Sequence, residues 1–92
     1  MPPDNLHVIH NLQQGRFEIH LDSQIAVLNY RINDGSIIFT HTGVPAALEG
    51  RGMGSLLVKT GLTYARENKL SVQSLCWFVD GYLRRHEADQ NK

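Results

Sequence analysis

The feature that most constrains this chain is the run Val44-Pro45-Ala46-Ala47-Leu48-Glu49-Gly50-Arg51-Gly52-Met53-Gly54-Ser55-Leu56-Leu57-Val58, in which a β-type stretch passes through three alternating glycines straight into an apolar helix. Gly50, Gly52 and Gly54 carry no Cβ to keep a ligand off the backbone. The helix that starts there turns its unpaired N–H groups and the positive end of its dipole to the same place. A pyrophosphate suits that arrangement, and a plain glycine-rich turn ahead of a helix is the competing explanation. Two other phosphate loops are excluded by residue type. A Walker A loop closes on Gly-Lys-Ser/Thr, and here no lysine stands between Gly54 and Ser55. A dinucleotide fingerprint needs glycine or alanine where Ser55 stands and an acidic residue after the next strand, which here ends in Leu75-Cys76-Trp77-Phe78.

Along the chain the period of the apolar residues changes from two to about 3.6, and that change locates the site. Val8 to Asn11 reads as a first strand, followed by a turn at Gln13-Gln14-Gly15. Arg16 to Leu21 alternates, with Phe17, Ile19 and Leu21 on one face and Arg16, Glu18 and His20 on the other. Gln24 to Ile32 continues with Ala26, Leu28, Tyr30 and Ile32 inward, and Asn33-Asp34-Gly35 supplies the positive-φ residues of a tight hairpin into a strand from Ser36 to Val44. From Arg51 to about Asn68 the residues Met53, Leu56, Leu57, Thr60 and Tyr64 fall at helical spacing, and Gly61 within that helix is expected to allow close packing on the sheet. Ser71 to Leu75 forms a short strand and Val79 to His86 a short second helix. The strand, helix and strand of residues 36 to 75 make a right-handed βαβ unit, so both parallel strands end beside the helix N-terminus, where open α/β sheets bind ligands. The fold class is therefore α+β: a mostly antiparallel twisted sheet of about five strands, with one βαβ crossover and two helices.

A chain of 92 residues can bury one modest core, and no Pro- or Ser-rich linker divides it, so one domain is expected over residues 1 to 92, with frayed ends at about 1–5 and 87–92. Nine Lys/Arg balance nine Asp/Glu, which argues against a direct nucleic-acid binder needing a basic face. The lone Cys76 has no partner for an intramolecular disulfide, and no signal peptide or membrane span is legible. A reducing, cytoplasmic setting is expected, with no membrane contact. The five histidines show no metal-ligand spacing, so no metal is expected.

At the glycine run the chain resembles the GCN5-related N-acetyltransferase superfamily, whose pyrophosphate loop reads Gln/Arg-x-x-Gly-x-Gly/Ala after a strand ending in Val. Phe39-Thr40-His41-Thr42, Val44-Pro45, Leu48 to Gly54, Leu75-Cys76-x-Phe78-Val79 and Tyr82-x-x-Arg85-His86 are similar to the small single-domain branch of about a hundred residues, over residues 36 to 86. Two positions depart from the pattern. Glu49 stands where the superfamily has Gln or Arg, and Trp77 where the small branch usually has proline.

The resemblance implies transfer of an acetyl group from acetyl-coenzyme A to a primary amine, small or on a protein lysine, by direct attack. It implies that backbone N–H groups of Arg51, Gly52, Met53, Gly54 and Ser55 hold the pyrophosphate, with Arg51 adding charge. Peptide groups of Thr42, Gly43 and Val44 would pair with the pantetheine arm as with another strand, one of them polarising the thioester carbonyl. Three side chains are candidates for proton transfer. His41, with an ordinary pKa of about 6.5, suits a general base. Cys76 could relay a proton or accept the acetyl group itself, and otherwise is an inert small hydrophobe. Tyr82 lies where related enzymes place a tyrosine that protonates the leaving thiolate, and otherwise is a core residue. Arg84 and Arg85, with His86, would meet the adenosine phosphate or simply complement a helix C-terminus. Trp77 and Phe78 read as core and site wall, with a surface Trp77 marking a protein contact as the alternative. A non-catalytic coenzyme-A-binding module, acting as sensor or protein partner, is the alternative to an enzyme. So short a chain leaves the acceptor site open or completed by a protein partner or a second copy.

Overall fold

The computed structural model describes residues 6–90, with side chains as far as residue 86. Five strands form one sheet in sequence order: β1 (Val8–Asn11), β2 (Arg16–Leu21), β3 (Gln24–Asn33), β4 (Ser36–Gly43) and β5 (Ser71–Ser74). The first four pair antiparallel, and β4 and β5 are parallel, joined through helix α1 (Met53–Glu67). Helix α2 (Trp77–Gln90) follows β5. The expected mixed sheet with one crossover and two helices is thus observed. Several boundaries move. β3 gains Asn33, β4 stops before Val44, and β5 stops before Leu75. A single 3-10 turn, Ala46–Leu48, interrupts the passage from β4 to the glycines. α1 begins at Met53 rather than Arg51, because Gly52 is its left-handed N-cap at φ 77°. α2 begins before Val79 and continues through residues 87–90, which were expected to fray; the expected frayed segments 1–5 and 91–92 lie outside the described residues.

The hairpins follow from their turn residues. Asp34 and Gly35, at φ 53° and 76°, both take the left-handed conformation that a two-residue hairpin turn requires, and Asn33 pairs with Ser36 across it. α1 ends in a Schellman motif. The Leu70 N–H reaches the Ala65 carbonyl at 2.8 Å, the Lys69 N–H reaches that of Arg66 at 3.2 Å, and Lys69 itself sits at φ 57°.

Both helices feed a single core cluster on one face of the sheet, and the smallest dimension of 21 Å fits two layers about 10 Å apart. Phe17, Ile19, Ala26, Leu28, Tyr30, Ile37 and Phe39 face Met53, Leu57, Val58 and Ala65 of α1 and Val79 and Tyr82 of α2. Gly61 lies against the sheet as expected, since a Cβ there would stand 2.9 Å from the Phe39 ring. Burial departs from the alternation at two places. Ile32 has the parity of Tyr30 but is 45 % exposed, because β2 pairs with β3 only as far as Asn29 and leaves Ile32 at an open edge. Glu18, on the uncovered face, is buried: Asn11, Arg16 and His20 fold over its carboxylate.

Candidate functional site

The strands that cradle the site part company at Phe39. β4 and β5 pair from Ser36/Ser71 to Phe39/Ser74, and the Leu75 N–H donates to the Phe39 carbonyl at 2.9 Å. Beyond that point β4 runs on to Gly43 with no strand on its outer edge. A bulge marks the change: Tyr30 pairs with Phe39 and Asn29 with His41, leaving Thr40 as the extra residue. The gap is a cleft of about 530 Å³. Its floor is Thr40, His41, Thr42 and Val44. One wall is Leu48, Glu49, Gly50 and Gly52 to Ser55, and the other is Leu75 to Phe78.

The first wall has the features of an anion site. Gly52 caps α1 without any side-chain hydrogen bond, and the first closed turn is Leu56 N–H to the Gly52 carbonyl at 3.0 Å. The N–H groups of the first turn therefore open on the cleft without a capping side chain. A Cβ built on Gly50 or Gly52 meets nothing within 4 Å, so the space above these positions is free for a ligand. Gly54 lines the same wall and has a packing role as well. It is buried, and its missing Cβ makes room for the Phe78 ring, whose Cζ would stand 2.7 Å away.

The second wall centres on Cys76, which occupies the N-cap position of α2: its carbonyl accepts from the Asp80 N–H at 3.0 Å. Its sulfur lies 3.5 Å from the Thr42 hydroxyl. Burial pushes the thiol pKa up, but the Thr42 hydroxyl and the backbone N–H groups of Val79, Phe78 and Thr42 favour the thiolate, and the balance lies below the ordinary value.

His41 and Thr42 point to opposite sides of β4. Thr42 pairs with the core residue Leu28, whereas His41 pairs with Asn29 and lies over Gly43 on the uncovered face, where a Cβ on Gly43 would meet its Nε2 at 3.1 Å. Arg51 is exposed beside the loop and outside the lining of the cleft. Tyr82 is buried and stacks on His86 with centroids 4.0 Å apart; neither it nor the exposed Arg84 and Arg85 lines the cleft. Of the pair expected as core and site wall, both residues line the cleft, but Trp77 is 85 % exposed at its rim, as the surface alternative had it, while Phe78 packs onto α1. Sequence reasoning overlooked Leu48, Leu75 and the Thr42 side chain. All three stand in stretches that carry the family resemblance, but no local pattern marked their side chains as lining of the site. Among the described residues no group of His, Cys, Asp and Glu is arranged to hold a metal ion, and no helix is long and apolar enough to cross a membrane.

The fold is that of an α+β protein whose one parallel strand pair opens beside an uncapped, glycine-started helix. The family model described as GCN5-related N-acetyl-transferase matches residues 16–91, and the chain belongs to that family. It is similar to Protein NATD1 of Mus musculus, at 31% identity over 92% of this chain and 80% of that protein. The identity to Protein NATD1 of Xenopus tropicalis is 27%, over 97% of this chain and 84% of that one. The NMR solution structure of a GCN5-like protein from Staphylococcus aureus superposes with a TM-score of 0.73 at 31% identity, covering 96% of this chain and 87% of that chain.

Proposed function

We propose that this protein is an N-acetyltransferase that takes acetyl-coenzyme A as donor and a primary amine, small or on a protein lysine, as acceptor. The observation that carries this reading is the meeting of two unpaired backbone surfaces in one cleft: the uncapped N-terminus of α1 and the free edge of β4 beyond Phe39. The N–H groups of Gly52 to Ser55 suit the pyrophosphate, with Arg51 beside the loop to add charge. The peptide groups of Thr42, Gly43 and Val44 suit the amide-bearing pantetheine arm, which pairs as a strand would. Arg84 and Arg85 are assigned to the adenosine phosphate only as exposed charge in the middle of α2.

The bound donor supplies an activated acyl group. The chain has to orient it and move two protons. The amine nitrogen attacks the thioester carbon, the C–S bond breaks with its electron pair on sulfur, the nitrogen loses a proton and the thiolate gains one. His41 and Cys76 flank the free edge of β4 from opposite faces, which suits one to serve the amine and the other the thiolate. Tyr82, buried and stacked on His86, is the weaker candidate for either.

The test is release of free coenzyme A thiol from acetyl-coenzyme A in the presence of a library of primary amines. Turnover with at least one amine is expected. Saturable donor binding with no thiol release for any amine or lysine peptide would instead mark a coenzyme-A-binding module.

A further inference from the structure

We propose that the Thr42 side chain is the positioning group for Cys76, fixing its sulfur toward the free edge of β4 so that Cys76 is the residue that returns the proton to the departing thiolate. The catalytic half of this inference rests on the acetyltransferase reading; the positioning half does not.

The backbone of Cys76 is held on three sides. Its N–H donates to the Ser74 hydroxyl at 3.2 Å, the same hydroxyl donates to its carbonyl at 2.9 Å, and the Asp80 N–H donates to that carbonyl at 3.0 Å. What remains free is rotation about the Cα–Cβ bond. The Thr42 hydroxyl, at 3.5 Å, is the side-chain partner that selects one rotamer, at a residue that packs against the core on one side and lines the cleft on the other. Thr42 is available for this because the bulge at Thr40 precedes it and brings its side chain to the helical side of β4, opposite Leu28.

The same arrangement stabilises the thiolate that proton donation leaves behind. Cys76 sits at the N-terminus of α2, its carbonyl closing the first turn with the Asp80 N–H, and the backbone N–H groups of that turn favour its thiolate. The ionisable groups near it are His41 on the adjoining strand, Glu49 on the opposite wall and Asp80 in the first turn of α2 itself. Glu49 and Asp80 work against a thiolate, so the hydrogen bonds of Thr42 and of the helix terminus must supply the stabilisation. The proton balance is closed. The Cys76 thiol gives its proton to the sulfur of the leaving group, and the Cys76 thiolate recovers the proton lost by the attacking nitrogen.

Cys76 is the one cysteine of the chain, so alkylation reports on it alone. The rate of reaction with iodoacetamide is measured against pH for the native protein, for the urea-unfolded chain, and for Thr42→Val and Thr42→Ser. The native midpoint is expected below the unfolded one. Thr42→Val should raise it by on the order of one pH unit, and Thr42→Ser should restore it. A native midpoint at or above that of the unfolded chain overturns the proposal even if Thr42→Val does not fold. So does an unchanged profile in Thr42→Val, or a failure of Thr42→Ser to restore it. In the turnover assay Thr42→Val should lower kcat about tenfold with KM for acetyl-coenzyme A unchanged; unaltered kcat removes the catalytic half. Absence of turnover in the wild type would contradict the acetyltransferase reading while leaving the alkylation result to decide the positioning role.

Discussion

Gly54 and Phe78 bring the N-termini of the two helices into contact: a Cβ on Gly54 would stand 2.7 Å from the Phe78 Cζ. Through that contact the anion-binding end of α1 and the cysteine end of α2 become adjoining walls of one cleft.

Gly54→Ala should therefore be destabilising despite its helical position. Overpacking costs about 1–3 kcal/mol, against at most about 1 kcal/mol gained in helix propensity. In a Phe78→Ala background the three nearest atoms that the new Cβ would meet are gone, and most of the cost should disappear. Urea unfolding of the double-mutant cycle checks this, and equal effects in both backgrounds would refute the contact's role.

Lys69 holds a left-handed conformation at φ 57° where the Schellman motif ends α1 and turns the chain into β5. Lys69→Gly removes that steric cost without touching a contact in the core. A gain of about 0.5–1 kcal/mol is expected by urea unfolding.

Glu18 should govern acid stability. Hydrogen bonds from His20, first, and from Arg16 outweigh the effect of burial and, with a smaller one from Asn11, pull its pKa down to about 2 from 4.5. A depressed carboxyl contributes stability that is complete above the unfolded pKa and is lost as pH falls through the folded one, here between about 4.5 and 2. Because its partners are partly exposed, the loss should be on the order of 1–2 kcal/mol. Glu18→Gln should flatten the pH dependence of unfolding in that window; an unaltered slope would contradict it.

His10 acts in the next window. Its ring stacks on Phe17 with centroids 4.1 Å apart, and the Tyr30 hydroxyl lies 2.5 Å from its Nε2. Desolvation lowers its pKa below 6.5, so the native state favours the neutral ring. Stability should fall as pH drops below about 6.5, where only the unfolded chain takes up the proton freely. His10→Gln should abolish this step between pH 7 and 5.5.

Much of the frame could be read from residue order. Alternation marked β2 to β4, Asp34-Gly35 marked the hairpin, and the change of period at the glycines marked the crossover and the end of the sheet where the cleft opens. What escaped depends on contacts between distant segments. The packing role of Gly54 was not legible because Phe78, which fills the space beside it, lies on another helix. Glu18 takes the face that alternation assigned to it, but alternation does not report what covers a side chain. The Thr42 hydroxyl reaches Cys76 only because β4 bulges at Thr40, and nothing in the local sequence signals the bulge.

The central claim is that the open backbone at the start of α1 holds the donor, and calorimetric titration of acetyl-coenzyme A into the wild type and Gly52→Val tests it most directly. Gly52 sits at φ 77° with free space above it, so valine both strains the cap and blocks the approach. The wild type should bind with one saturable heat, and ligand at about 100 times Kd should stabilise it by about 2.7 kcal/mol, raising Tm by on the order of 10 °C. Folded Gly52→Val should show neither effect. Absence of binding in the wild type at millimolar ligand, or undiminished binding in Gly52→Val, would contradict the account.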